Sequence, residues 1–315
     1  MIEHVVCGSI AIDRILLLDT TFEQHMLPDD LARLSVSFLV PTVQESWGGT
    51  GANIAYALAQ LEERPHLVGA VGHRDSERLR QTWDRLGVDH RQVLSAEAHT
   101  AMATILTDTR HNQITGFHPG AMPHGIEADV LAAGSAQAWT IVAPDDPKVM
   151  RRHAQRLAQA GRRYLFDPGQ AMPLLSAESL IESTQAARGV LVNDYEMLLL
   201  THITGWTAAQ WGQRLADRGG ALIVTQGAAG CDVWQGDRAQ RVPVAQAEAV
   251  VDPTGCGDAF RAGLLYGLAR GWTWINAARM GARVAAVQVA HPGTQNYTLP
   301  AGWAEQQANR IMRET

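Results

Sequence analysis

The sequence predicts an α/β fold in which a mostly parallel central sheet, covered by helices on both faces, carries a small additional β-sheet. Three observations lead there. Short β-branched runs alternate with longer stretches of helical spacing along most of the 315 residues, the pattern of strands joined by crossover helices. Two segments, 14–47 and 100–118, interrupt that rhythm and are too long or too turn-rich for βα loops. Hydrophobic residues make up 46% of the chain and charged ones 18%, which excludes a disordered or fibrous chain and supplies a large core.

In chain order, residues 5–12, 67–71, 140–143, 164–166, 189–192 and 222–225 read as buried strands. Helical spacing lies between them at 52–61, 76–86, 148–160, 177–187 and 208–218. Ligands of such sheets bind beyond the carboxyl ends of the strands, which singles out Asp13, Gly72, Pro144, Asp167, Asn193 and Gly227. Within the first interrupting segment, 35–40 looks extended, with Val36, Phe38 and Val40 alternating with Ser35, Ser37 and Leu39. In the second, 101–107 and 113–117 read as two strands around the turn 108–112. From Gly255 onward, 259–269, 273–290 and 300–313 read as helices. No repeat or Pro/Gly/Ser-rich linker divides the chain. One domain over 1–315 is therefore expected, with a lid subdomain from about 14–47 and 100–118 inserted in it.

Charge narrows the partners. Twenty-six Lys and Arg against 32 Asp and Glu give a formal net charge of −6, without the basic field that a nucleic-acid partner requires. No stretch of about 18 apolar residues runs without a charge, and no secretory pattern opens the chain, so a membrane is not an expected partner. Cys7, Cys231 and Cys256 show no metal-ligand spacing and suit a reducing cytoplasm.

The sharpest local signal is Asp252-Pro253-Thr254-Gly255-Cys256-Gly257-Asp258, directly before an apolar helical run. Glycines there let the first amides of a helix converge on an anion, and Asp258, in the first turn, is placed to take a proton from a bound hydroxyl. A second glycine-rich helix start, Gly48-Gly49-Thr50-Gly51-Ala52-Asn53, allows a ligand close to the backbone, and the Asn53 amide suits vicinal hydroxyls. Thr225, Gly227 and Gly230 follow a strand and either wrap phosphates or turn a hairpin into 231–234. Asn193 and Glu196 sit at a strand end, where they either organise a magnesium through water or cap the next helix.

Taken in this order, the four motifs resemble the ribokinase-like (PfkB-type) family of carbohydrate and nucleoside kinases over nearly the whole chain. The stretches Leu27-Pro28-Asp29, 35–41, 112–121 and Asp167-Pro168-Gly169-Gln170 are most similar to the bacterial adenosine kinase-like branch. Pro253 stands where the family commonly has Thr or Ser, and Cys256 where Ala is usual; both suit the turn.

The resemblance implies a three-layer α/β/α sandwich with a small β-sheet lid, and ATP-dependent phosphorylation of a nucleoside 5′-hydroxyl, adenosine first. It implies Asp258 as catalytic base with the amides of Gly255, Cys256 and Gly257 as anion hole. Asp13, Gly49 and Asn53, with Ser9 beside them, match positions that grip ribose hydroxyls. Asn193 and Glu196 match a phosphate and Mg²⁺ motif, Glu196 acting through water. Thr225, Gly227 and Gly230 match the nucleotide loop, and Asp252 a monovalent-cation position, K⁺ in many relatives. A purine needs a flat apolar slot, for which Phe117 offers a stacking face and Gln170 an amide. The alternatives are a kinase of ribose, fructose or a related sugar, and an inactive ligand-binding regulator, against which the intact Gly255–Asp258 run argues. The alternating 35–40 stretch suggests a homodimer through the lid, and Cys256 suggests sensitivity to thiol reagents.

Overall fold

A computed structural model describes residues 3–26, 35–110 and 112–314; Leu27-Pro28-Asp29 and His111 lie outside them. The opening apolar run is two strands. β1 (His4–Cys7) ends where Gly8, Ser9 and Ile10 turn the chain, and β2 (Ala11–Leu17) leaves for a different sheet. Asp13 accordingly lies inside β2 and not at the end of the first strand. The stretch 35–40 has no strand pairing. Phe38 turns inward, edge-on to Phe22 at 5.7 Å between ring centroids, and the exposed side chain is Leu39. The strand lies just beyond, as β3 (Thr42–Gly48).

The chain then alternates as its spacing predicts. α1 (Thr50–Gln60) leads to β4 (His66–Gly72), α2 (His73–Leu86) and β5 (Asp89–Ala96). β6 (Ala101–Thr107) and β7 (Gln113–His118) form a hairpin, after which β8 (Trp139–Val142), α3 (Pro147–Gln159), β9 (Arg163–Phe166), α4 (Ala177–Thr184) and β10 (Gly189–Asn193) rebuild the rhythm. α5 (Asp194–Thr204), α6 (Ala208–Ala216) and β11 (Ala221–Thr225) continue it, and β12 (Cys231–Trp234) and β13 (Ala239–Val242) close the sheet. Three helices finish the chain: α7 (Cys256–Ala269), α8 (Trp274–Gln288) and α9 (Trp303–Arg313).

The large sheet has the order β13-β12-β11-β10-β9-β8-β1-β4-β5 and is parallel except for β12 and β13. Because successive strand residues face opposite sides, Val6, Ile141, Leu165, Leu191 and Ile223 enter the core shared with α1, α7, α8 and α9. Val5, Cys7, Val142, Phe166, Val190 and Leu222 enter the other, under α3, α4, α5 and α6. α7 is buried from Ala259 to Leu268 and lies close against α8, since a Cβ on Gly263 would stand 2.7 Å from the Gly281 Cα. Small residues at that crossing let two backbones meet and fix where α7 begins.

The small sheet has the order β3-β2-β6-β7. One row across it contains Ser46, Asp13, Ala103 and Phe117, so Asp13 and Phe117 project from the same face, two strands apart. No helix of the described residues is long and apolar enough to cross a membrane.

Candidate active site

Two helix starts and one loop make the site. At α1, Gly49 is the N-cap with φ 88°, and a Cβ there would lie 2.6 Å from the Ser9 carbonyl oxygen. Ser9 uses that closeness: its Oγ accepts from Thr50 N at 3.0 Å, and its carbonyl accepts from Gly51 N at 3.0 Å and Ala52 N at 3.3 Å. Gly48 leaves room for Asp13, whose Oδ2 would stand 2.1 Å from a Cβ at that position. Burial pushes the Asp13 carboxyl above its ordinary value. Held in this way, α1 presents Asn53 from its first turn, buried and pointed across to α7.

At α7, Gly255 is the N-cap in the left-handed region with φ 80°, a conformation that glycine adopts without strain. Cys256 N bonds to the Pro253 carbonyl and Ala259 N to that of Gly255. Among the described residues the backbone N–H groups of Gly257 and Asp258 have no acceptor. Two free donors at a helix N-terminus are a ready anion site. Asp258 stands in the same turn and accepts from Asn53 Nδ2 through Oδ2 at 2.8 Å. Burial lifts its carboxyl to about 6, against the pull of the Arg261 cation and the Asn53 amide, so the group is a carboxylate at neutral pH yet basic enough to accept a proton.

A strap at 293–297 binds the two starts together. Gly293 N donates to Asp252 Oδ2 at 2.8 Å, Thr294 packs on Gly255 and donates to the Trp47 carbonyl, and Gln295 Nε2 donates to Asn53 Oδ1 at 2.9 Å. Asp252 also accepts from Thr254 N at 2.9 Å. Burial alone would raise its carboxyl, but these donors outweigh it and hold it below the usual range. The fully buried Gln288 donates to the carbonyls of Thr254 and Gly293, and its Oε1 has no partner among the described residues. Sequence reading missed this strap, because Thr294, Gln295 and Tyr297 belong to no motif and meet the site only through the fold.

Asn193 and Glu196 form a reciprocal cap at the start of α5: Glu196 N donates to Asn193 Oδ1 and Asn193 N to Glu196 Oε2, each at 2.7 Å. Glu196 Oε1 remains free of a hydrogen bond among the described residues, and burial followed by the nearby Asp167 raises this carboxyl. Among the described residues no cluster of three or more His, Cys, Asp or Glu is placed to hold a metal by itself. Thr225 ends β11, and Gly227 and Gly230, both at positive φ, shape the hairpin into β12. Phe117 is 54% exposed on β7, and Gln170 is exposed in a 3₁₀ turn after β9.

Cys256 departs from expectation. Burial, with the Asp252 and Asp258 carboxylates beside it, pushes its thiol up to about 11. It is therefore a protonated, sluggish thiol at neutral pH, which opposes the expected sensitivity to thiol reagents.

The geometry agrees with what comparison finds. Residues 2–301 match the pfkB family of carbohydrate kinases. The chain belongs to that family. It is 29% identical over 282 residues to a nucleoside kinase of Methanocaldococcus jannaschii, covering 88% of this chain and 89% of the relative. The Burkholderia thailandensis nucleoside kinase in complex with inosine superposes with a TM-score of 0.84 at 37% identity, over 98% of both chains. Its ADP-inosine complex gives 0.81 at 38%, over 98% of this chain and 96% of that one. As a pfkB family member, this chain is a phosphotransferase acting on a hydroxyl group, a nucleoside or sugar kinase.

Proposed function

We propose that the chain transfers the γ-phosphoryl group of ATP to the 5′-hydroxyl of a purine nucleoside, adenosine first. The observation that carries this reading is the shared row of Asp13 and Phe117 on one face of the small sheet. It sets a carboxylate for ribose hydroxyls and an aromatic face for a base on the same side. Similarity to a kinase whose complexes contain inosine and ADP supports it.

In this reading Asn53, Gly49 and Asp13 orient the ribose, with Ser9 holding the start of α1 beneath it. The Asn53 bond to Oδ2 leaves Asp258 Oδ1 to receive the 5′-hydroxyl proton as that oxygen attacks phosphorus. The free amides of Gly257 and Asp258, in the turn that Gly255 and Cys256 open, meet the charge on the transferring group. Thr225, Gly227, Gly230 and Asn193 line the nucleotide side, and Gln170 meets the purine edge. Magnesium fits the unused Oε1 of Glu196, approached through water, and when bound neutralises phosphate charge. A monovalent cation such as K⁺ fits the orphaned Gln288 Oε1 beside Asp252. The outer lid strand β7, exposed along its whole length, suits a homodimer contact.

The test is incubation with Mg-ATP, in potassium or in choline buffer, against adenosine, inosine, guanosine, cytidine, ribose and fructose, with the product identified by mass. A 5′-monophosphate of adenosine or another purine nucleoside supports the reading. Turnover of free sugars alone overturns the purine slot, and no turnover of any acceptor points to a binding protein.

A further inference from the structure

Arg261 is the sole charged residue in the 259–269 stretch of α7. Its side chain runs back toward the helix N-terminus, as helical side chains do, and its Nη1 would stand 2.7 Å from a Cβ on Gly257. Its Nε and Nη2 both donate to Asp167, whose carboxylate is wholly buried at the end of β9. A charged pair so deep needs a geometric reason, because paired burial seldom adds stability over a hydrophobic substitute. Gly257 supplies part of that reason: any side chain there would displace the guanidinium, so this glycine serves Arg261 as well as the anion hole.

The groups that face Asp258 are Asn53 from α1, Asp13 from β2, Asp167 from the end of β9 and Tyr297 from the strap, with Cys256 and Arg261 on its own helix. Glu196 of α5 faces Arg261. Arg261 is the only cation in that set. We propose that Arg261 is a positioning residue of the phosphoryl-transfer site: held along its Nε–Nη2 edge by the Asp167 carboxylate, with Nη1 beneath Gly257, it keeps the buried Asp258 ionised and in its Asn53-bound orientation, while the bond to Asp167 stops it from neutralising that base directly. The inference rests on the kinase reading for its role in turnover, and on the fold alone for its electrostatics.

Opposite substitutions test it. The midpoint of Asp258 is read from the acid limb of kcat/KM against pH and from the ¹³C carboxyl titration of labelled protein, assigned with Asp258→Asn. Arg261→Gln moves the midpoint up by about 1 pH unit, the size expected for one lost neighbouring charge. Asp167→Asn moves it down. Arg261→Lys, which keeps the charge and loses the fork, stays near the wild-type midpoint with a reduced kcat and an unchanged KM for nucleoside. Where Arg261→Gln alone fails to fold, Arg261→Gln/Asp167→Asn removes both charges at similar shape, and its midpoint lies above that of Asp167→Asn, which isolates the Arg261 charge. Losses of stability or rate with an unmoved midpoint in every folded variant overturn the proposal and leave the pair a structural ion pair. The carboxyl titration needs no turnover. Opposite shifts in a chain that phosphorylates none of the acceptors overturn the kinase reading and uphold the Arg261 inference.

Discussion

The starts of α1 and α7 are built from nearly the same letters and do different work. Each opens on a glycine N-cap at positive φ, with no side-chain cap. At α1 the orphan amides are consumed, because Ser9 accepts from Thr50, Gly51 and Ala52. At α7 the amides of Gly257 and Asp258 are left without an acceptor among the described residues. A glycine-rich helix start thus records only that two backbones, or a backbone and a ligand, come close. What decides between scaffold and anion site is whether the fold already fills the cradle.

The largest effect expected from breaking this contrast is at the base. Asp258→Asn lowers kcat by about 10²- to 10⁴-fold with little change in KM, the range for losing a general base. Steady-state kinetics of the purified variant check it.

Matched glycine substitutions sharpen the comparison. A Cβ on Gly51 would lie 2.7 Å from the Gly8 backbone. Gly51→Ala is therefore expected to cost about 2 kcal/mol of stability by overpacking against atoms that cannot move aside. Gly257→Ala meets only the end of a side chain, Arg261 Nη1. Helix propensity gains it up to about 1 kcal/mol, while displacement of Arg261 lowers kcat on the order of 10-fold. Thermal melts and kcat measured on both variants should separate them: stability falls in the first, turnover in the second. Equal behaviour would erase the distinction between the two starts.

A smaller effect follows from the ionisation of Asp258. Its folded value, about 6, lies above the ordinary aspartate value near 3.9, so the folded state binds this proton more readily than the unfolded one. Stability from this group is greatest below the unfolded value and falls as pH rises through about 6. Asp258→Asn removes that cost, so at pH 8 the ligand-free variant should be more stable than the wild type, with the gap closing toward pH 4. Melting temperatures across that range read it directly.

Periodicity made most of the large sheet legible, because strands buried on both faces are continuous apolar runs. It failed where that signal was absent. Asp89–Ala96 and Ala239–Val242 carry Asp, His, Arg and Gln, being the two edge strands of the large sheet. The run 5–12 hid a change of sheet, since Gly8 and Ser9 are too small to interrupt an apolar pattern. In the candidate site, Asp258, Asn53 and the glycines were readable from local spacing, and of the two readings of the Asn193–Glu196 pair the structure shows the helix cap. Arg261 was not singled out, although a lone charge in a small-apolar helix is a signal available to sequence reading. Gln288 and Gln295 had no such signal, because their partners lie across loops that only the fold brings together.

The Asn53–Asp258 bond joins residues 205 positions apart, and Gln295 reaches Asn53 across 242. A nascent chain therefore emerges with Ser9, Asp13 and Asn53 long before it has Asp258 or the start of α7. Such distant pairings form late and slowly. The strand row that carries Asp13 is complete once Phe117 has been made, but the buried Asn53 must wait for its partners until the final third of the chain arrives. A product cut short before α7 holds Ser9, Asp13 and Asn53 without Asp258, and one cut between α7 and the strap holds Asn53 and Asp258 without the Gln295 and Gly293 bonds that tie the two helix starts together.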